Sequence, residues 1–171
     1  MNDGEACGEC GFVYNEADAP DAAQRVRALS KTVADRLLER QVNEVRRHVP
    51  PLTWSALEYG CHLRDDLLVQ RERVLLARRA DHPTLTPMGR DERAYHDGYE
   101  SQKAADVARQ LVEAGRLFAH VLDLLDDDSW TRTVVYNWPE PADRNLRWVA
   151  VHTVHELVHH QGDIERVLTG R

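Results

Sequence analysis

The sequence predicts an all-α protein, a four-helix bundle behind a short irregular N-terminal extension. Three observations carry that expectation. Four runs repeat apolar residues at intervals of three and four, the period of a helix with one buried face. Segments containing Pro, Gly and Asp separate the runs, and there is neither a convincing pair of strands nor an internal repeat.

Residues 1–20 are acidic, glycine-containing and aperiodic, and are expected to form an extension laid on the surface of a bundle spanning 21–171. Asp21 offers an N-cap for a first helix reaching about His48, with Val26, Leu29, Val33, Leu37 and Leu38 in register; Val49-Pro50-Pro51 stops it. Thr53 would cap a second run from Trp54 to about Ala80, striped by Leu57, Cys61, Leu68 and Leu75, with arginines near its end where they suit the helix dipole. A loop follows to about Glu100. Ser101 would cap a third helix carrying Val107, Leu111, Leu117, Val121 and Leu125 and ending in Asp126-Asp127-Asp128. Ser129 to Pro141, with Trp130, Val134, Val135, Tyr136 and Trp138, reads as a short extended piece or an ordered loop. The fourth run, from about Ala142 to Leu168, closes at Gly170.

A chain of 171 residues makes one ordinary domain, able to bury a core without covalent staples. Its net charge of -7 argues against nucleic acid as a partner, because nothing in the bulk field attracts phosphate. The first residues lack the basic and apolar character of a secretory signal, and no apolar stretch approaches the ~20 residues that span a bilayer. A cytoplasmic protein with no membrane partner is expected. Three cysteines in such a chain read as reduced thiols or metal ligands rather than a disulfide framework. A bundle of this size can form a homodimer, but no stripe is diagnostic of one.

The chemistry concentrates near the end of the chain. Four of the nine histidines fall between His152 and His160, together with Glu156 and Asp163, a grouping that points to a divalent metal. The competing reading is a solvated, pH-sensitive helix face. Successive residues turn about 100° around a helix. With Leu146, Val149, Leu157, Ile164, Val167 and Leu168 marking the apolar side, Glu156 and His160 fall at its edge, one turn apart. His155 and His159 rotate away from it. Two ligand registers are therefore available, and the wheel favours Glu156 with His160 for a site inside the bundle.

The other register spells His155-Glu156-Leu157-Val158-His159, the H-E-x-x-H pattern of zinc peptidases, in which Glu156 would be the base of a hydrolase. The extended form of that pattern fails, since Arg166 stands where its third histidine belongs. Separately, Cys7-Gly-Glu-Cys10 resembles one knuckle of a zinc ribbon without the second, a possible structural half-site whose remaining donors would come from a histidine, from Cys61 or from another copy of the chain.

A two-ligand pair needs a further donor, and the second helix offers His62 in Trp54-Ser-Ala-Leu-Glu58-Tyr59-Gly-Cys61-His62-Leu-Arg64-Asp65. Alone, His62 would read as a core or surface histidine. Trp54 with a histidine eight positions on, then Leu-Arg-Asp, resembles the second helix of the DinB-like superfamily of four-helix metalloproteins, which includes mycothiol-dependent maleylpyruvate isomerases and bacterial thiol transferases. Glu156-Leu-Val-His159-His160-Gln-Gly-Asp163 resembles the E-x-x-x-H-x-x-D stretch of the mycothiol-dependent branch. The likeness runs from roughly Val26 to Leu168 and implies the ligands His62, Glu156 and His160. It also implies a low-molecular-weight thiol as co-substrate and a small electrophile as substrate, with the thiol activated for S-transfer or isomerisation.

Three protein ligands would leave one coordination position for chemistry. Zinc is the first choice of metal, with nickel and iron also accepted by this donor set. Asp65 and Asp163 are candidate acceptors for the imidazole N–H groups, and Asp65 and Arg132 are candidate catalytic residues, with Arg132 or Arg64 gripping a substrate carboxylate. The lysine-poor, arginine- and alanine-rich composition fits a high-GC bacterium, where mycothiol would be the thiol. The contrasting expectation is a non-catalytic metal-binding or sensor bundle, to be told apart by whether the space beside the metal is open or sealed.

Overall fold

A computed structural model describes residues 1–138 and 140–170; Pro139 and Arg171 lie outside the described residues. Among the described residues, four long helices form the bundle: α1 (Ala22–Leu38), α2 (Ala56–Arg79), α3 (Ala104–Asp123) and α4 (Leu146–Thr169). The fold class is as the periodicity predicts. No helix is long and apolar enough to cross a membrane among the described residues.

Several boundaries move, each for a local reason. α1 stops at Leu38 rather than near His48, because the exposed stretch Glu39-Arg40-Gln41 interrupts it. A short helix, Val42–Val45, then restarts with the Glu44 carboxylate accepting the Gln41 backbone N–H at 2.9 Å. The cap of α2 is Ser55, not Thr53: the Ser55 hydroxyl accepts from the Glu58 N–H at 3.3 Å and Glu58 accepts from the Ser55 N–H at 2.8 Å, a reciprocal capping box. Ser101 does not cap α3 but closes a 3-10 turn, Tyr99–Ser101, its hydroxyl donating to the Gly98 carbonyl. Asp126 caps a short helix, Asp127–Thr131, instead of merely ending the one before it. At the far end Asn145 caps α4 by accepting the Trp148 N–H at 2.8 Å, and Gly170 terminates it at φ 71°, a conformation cheap only for glycine.

Contrary to the expectation of no paired strands, β1 (Thr133–Asn137) runs antiparallel to β2 (Pro141–Asn145), with Thr133 opposite Asn145. Val134 and Tyr136 face inward and are buried while their neighbours are not. β2, Pro-Ala-Asp-Arg-Asn, is polar and carries no such alternation, so only half of the hairpin left a pattern in the sequence.

The four helices do not follow chain order around the bundle. α1 packs chiefly on α3, α3 also on α2, α2 also on α4, and α4 returns to α1. α2 and α4 are thus direct neighbours. The closest approach is between α1 and α3, where a Cβ added at Gly115 would stand 2.4 Å from Ser30 Oγ and 2.8 Å from Ser30 Cβ. Gly115→Ala should therefore destabilise. The ~1 kcal/mol gained in helix propensity is outweighed by overpacking of ~1–3 kcal/mol, which a thermal melt would report as a Tm lower by a few degrees.

The N-terminal extension lies on the surface as expected, but it is anchored there. Tyr14 is 1% exposed, and the Met1 carbonyl accepts from Trp148 Nε1 at 3.0 Å, so the segment is strapped along α4. Trp54, Trp130 and Trp148 are buried, whereas Trp138 is 58% exposed.

Candidate metal centre

The registry of α4 places Glu156 and His160 on the side facing α2, from which His62 projects. The ligand atoms of His62, Glu156 and His160 lie within 4.8 Å of one another. His160 Nε2 is 3.6 Å from Glu156 Oε2, while its Nδ1 is 2.7 Å from Asp163 Oδ2. Asp163 therefore sets the ring orientation, as a carboxylate behind a metal-binding imidazole does. The His62 ring sits 5.0 Å from that of His160 and 5.0 Å from that of Trp54.

These residues fit a divalent cation. His62 Nδ1 is buried with no hydrogen-bond partner among the described residues. Burial, helped by the nearby charge of His160, pushes the His62 pKa down to about 4, so the ring is neutral and its lone pair is available. Burial would raise Glu156, but hydrogen bonds from His155 and His160 prevail and hold it well below the usual carboxylate range. His160 is raised to about 9: against burial, its bonds to Asp163 and Glu156 win. Two buried carboxylates thus draw positive charge to this spot. A proton on His160 meets that demand in part, and a divalent ion coordinated by the same groups would meet it more fully.

A cavity of ~290 Å³ opens beside the cluster, lined by His62, Glu156, His152, Asp66, Arg73 and Tyr136, with Arg90 and the exposed Trp138 further out. Arg73 donates to the Tyr136 hydroxyl at 2.8 Å and to the Thr86 carbonyl at 2.8 Å, which fixes it at the cavity wall. Asp66 Oδ2 is buried without a hydrogen-bond partner among the described residues, and burial, reinforced by the Glu156 charge, raises its pKa to about 7. The open, charged wall is not that of a sealed apolar site.

Two of the residues expected to be catalytic are elsewhere. Asp65 accepts from Arg64 at 2.7 Å and from the Tyr99 hydroxyl at 2.7 Å, and it does not line the cavity among the described residues. Arg132 donates to the Ala77 carbonyl and, at 2.8 Å, to that of Ala80, so it caps the end of α2, and it does not line the cavity among the described residues. Arg64 is occupied by Asp65, Gln102, Gln110 and Asp97. The carboxylate that does share the His62 face is Asp66. Spacing alone does not choose between Asp65 and Asp66, because both lie within one turn of 62. Arg73, Tyr136 and Arg90 had no comparable signal, since they reach the cavity from another turn, a strand and the start of a short helix, Arg90–His96. His155 and His159 turn away from the cavity, towards Cys7 and Cys10 on the extension.

An imidazole of one helix facing a carboxylate–imidazole couple of its neighbour, across a cavity in a four-helix bundle, defines a class of helical proteins with a candidate metal centre. The chain belongs to the DinB superfamily, whose family model matches residues 20–164. Among solved structures it is similar to YfiT from Bacillus subtilis, described as a probable metal-dependent hydrolase with an unusual four-helix bundle topology, at 13% identity and a TM-score of 0.73, over 97% of this chain and 91% of that one. It is also similar to the mycothiol-dependent maleylpyruvate isomerase at 12% identity and a TM-score of 0.68; the match covers 88% of this chain and only 65% of the isomerase. At these identities the likeness establishes the fold. No curated protein matches the chain in sequence.

Proposed function

We propose that the chain is a metal-dependent enzyme that activates a low-molecular-weight thiol for S-transfer to, or isomerisation of, a small electrophile. The observation that carries this reading is a set of three protein donors, His62, Glu156 and His160, two of which, His62 and Glu156, line an open charged cavity. A divalent cation held there, zinc first among the candidates, supplies Lewis acidity that brings a thiol or water into its nucleophilic form near neutral pH. The remaining work falls to the chain. Asp66 Oδ2 accepts the thiol proton and returns it to the product, its pKa of about 7 suiting both transfers. Arg73 and Arg90 present positive charge to substrate carboxylates, and Tyr136 holds Arg73 in place. His152, neutral because burial takes its pKa down to about 4, backs Glu156 from 3.9 Å.

Hydrolysis at the same donors is the second reading, favoured by the likeness to YfiT. It would use water in place of the thiol and Asp66, not Glu156, as base, because His155 and His159 point away from the cavity. Zinc-loaded protein given mycothiol and a maleylpyruvate-type electrophile should turn over only with both metal and thiol; turnover without thiol would replace the first reading by the second. Asp66→Asn should lower kcat by ~100-fold or more while leaving the metal content intact, and an unchanged kcat would remove Asp66 from the mechanism.

A further inference from the structure

We propose that Cys7, Cys10, His155 and His159 form a second metal site, a closed zinc centre that fastens the N-terminal extension to α4. One ligand atom from each lies within 4.8 Å of the others. Cys7 Sγ is 3.7 Å from His159 Nδ1. His155 is 4% exposed; its Nδ1 is 2.9 Å from the Tyr14 hydroxyl, which leaves Nε2 buried with no hydrogen-bond partner among the described residues. An unpartnered buried nitrogen costs ~1–3 kcal/mol, and coordination would relieve that cost.

The extension is shaped to present its sulfurs. The Gly11 N–H donates to the Cys7 carbonyl at 2.9 Å and the Cys7 N–H to the Phe12 carbonyl at 2.8 Å, a tight knuckle around Cys7-x-x-Cys10. Gly11 closes the knuckle at φ 72°, which a side chain would resist. Backbone N–H groups of Cys10 and Glu9 approach the Cys7 sulfur, and that of Phe12 approaches the Cys10 sulfur. All three cysteines are unpaired, Cys7 and Cys10 among them.

The donors assign the metal and its role. Two thiolates and two imidazoles suit tetrahedral zinc, and four protein ligands fill its coordination. None of the four lines the cavity, in contrast with His62 and Glu156. One stretch of α4 therefore serves two registers about 100° apart, 156 with 160 inward and 155 with 159 outward. The sites also share neighbours: the Tyr14 hydroxyl lies 2.9 Å from His155 Nδ1 and 2.8 Å from His152 Nδ1, and Asp163 Oδ2 lies 2.7 Å from His160 Nδ1 and 3.8 Å from His159 Nε2. Filling the outer site should hold these groups in place behind the inner one.

The test is metal content and cobalt absorption of the full chain, with no added thiol. Wild type should hold two zinc ions per chain; Cys10→Ser and His159→Gln should each lose one, and so should His62→Ala. Cobalt-loaded wild type and His62→Ala should both show thiolate-to-cobalt charge-transfer bands, absent from Cys10→Ser. A single ion that depends on Cys10 but not on His62 would sustain this site and defeat the inner one. Wild type lacking cysteine-dependent cobalt bands would overturn the proposal even if the variants fail to fold, as would full metal content in folded Cys10→Ser.

Discussion

His62→Ala is expected to abolish turnover and weaken metal binding at the inner centre by more than about 100-fold. Changing a group that only orients a ligand typically costs about 10–100-fold in metal affinity, so removing one of three ligands must cost more. The remaining pair, Glu156 and His160, is an i, i+4 couple on one helix and cannot enclose an ion alone. Glu156→Gln should behave similarly while preserving volume, which separates ligand loss from a packing defect at this buried position. Competition with a chromophoric chelator measures the affinity, and circular dichroism verifies the fold. Asp65→Asn and Arg132→Lys serve as contrasts, because those side chains bond to Tyr99 and to the end of α2. If they empty the centre while His62→Ala does not, the ligand assignment is wrong.

In the chelator-stripped chain the inner imidazoles His62, His152 and His160 should together contribute most near pH 6.5 and lose several kcal/mol on either side, with Asp66 opposing them in acid and Cys7 in alkali. On the acid side, His62 and His152 have pKa values depressed from 6.5 to about 4, so the unfolded chain binds protons that the folded chain refuses. The stability they contribute is present above 6.5 and is lost as the pH falls towards 4. At about 1.4 kcal/mol for each pH unit, each group loses roughly 2 kcal/mol by pH 5. Glu156, depressed within the same cluster, adds to the loss at lower pH. On the alkaline side His160 is raised to about 9: its contribution is complete below 6.5 and disappears as the pH climbs through 9, for up to roughly 3 kcal/mol. Urea midpoints at pH 5, 6.5 and 9.5 check the shape. Because Asp66, raised to about 7, is stabilised by the same acidification, the reading is taken as wild type against His62→Gln and His152→Gln, and an equal change of midpoint between pH 5 and 6.5 in all three would mean that the two histidines are hydrated, contrary to their burial.

Much of the inner centre was legible because its signals are local. Glu156 and His160 lie one turn apart on a helix whose apolar stripe identifies its buried side, and His62 followed Trp54 at a spacing matched in the DinB superfamily. Asp66 was half legible, since residues 65 and 66 both lie within a turn of 62 and only the packing around α2 decides which one lines the cavity. The hairpin was half hidden, since β2 is an exposed polar strand that carries no alternation. The extension does lie on the surface, but its anchoring was hidden, because that rests on Tyr14 fitting against histidines more than a hundred residues away in the chain. No window of sequence contains that contact.

Periodicity, caps and helix-wheel position come from neighbours within a few residues, so the sequence by itself determined the four helices, their apolar sides and the two ligand registers of α4. The order of the helices around the bundle was decided only in three dimensions. It depends on which apolar faces pack best, such as Gly115 of α3 against Ser30 of α1, an energy shared among residues far apart in the chain. That order puts α2 beside α4, which brings His62 to Glu156 and His160, builds a cavity from a strand and a loop, and lays Cys7 and Cys10 against His155 and His159.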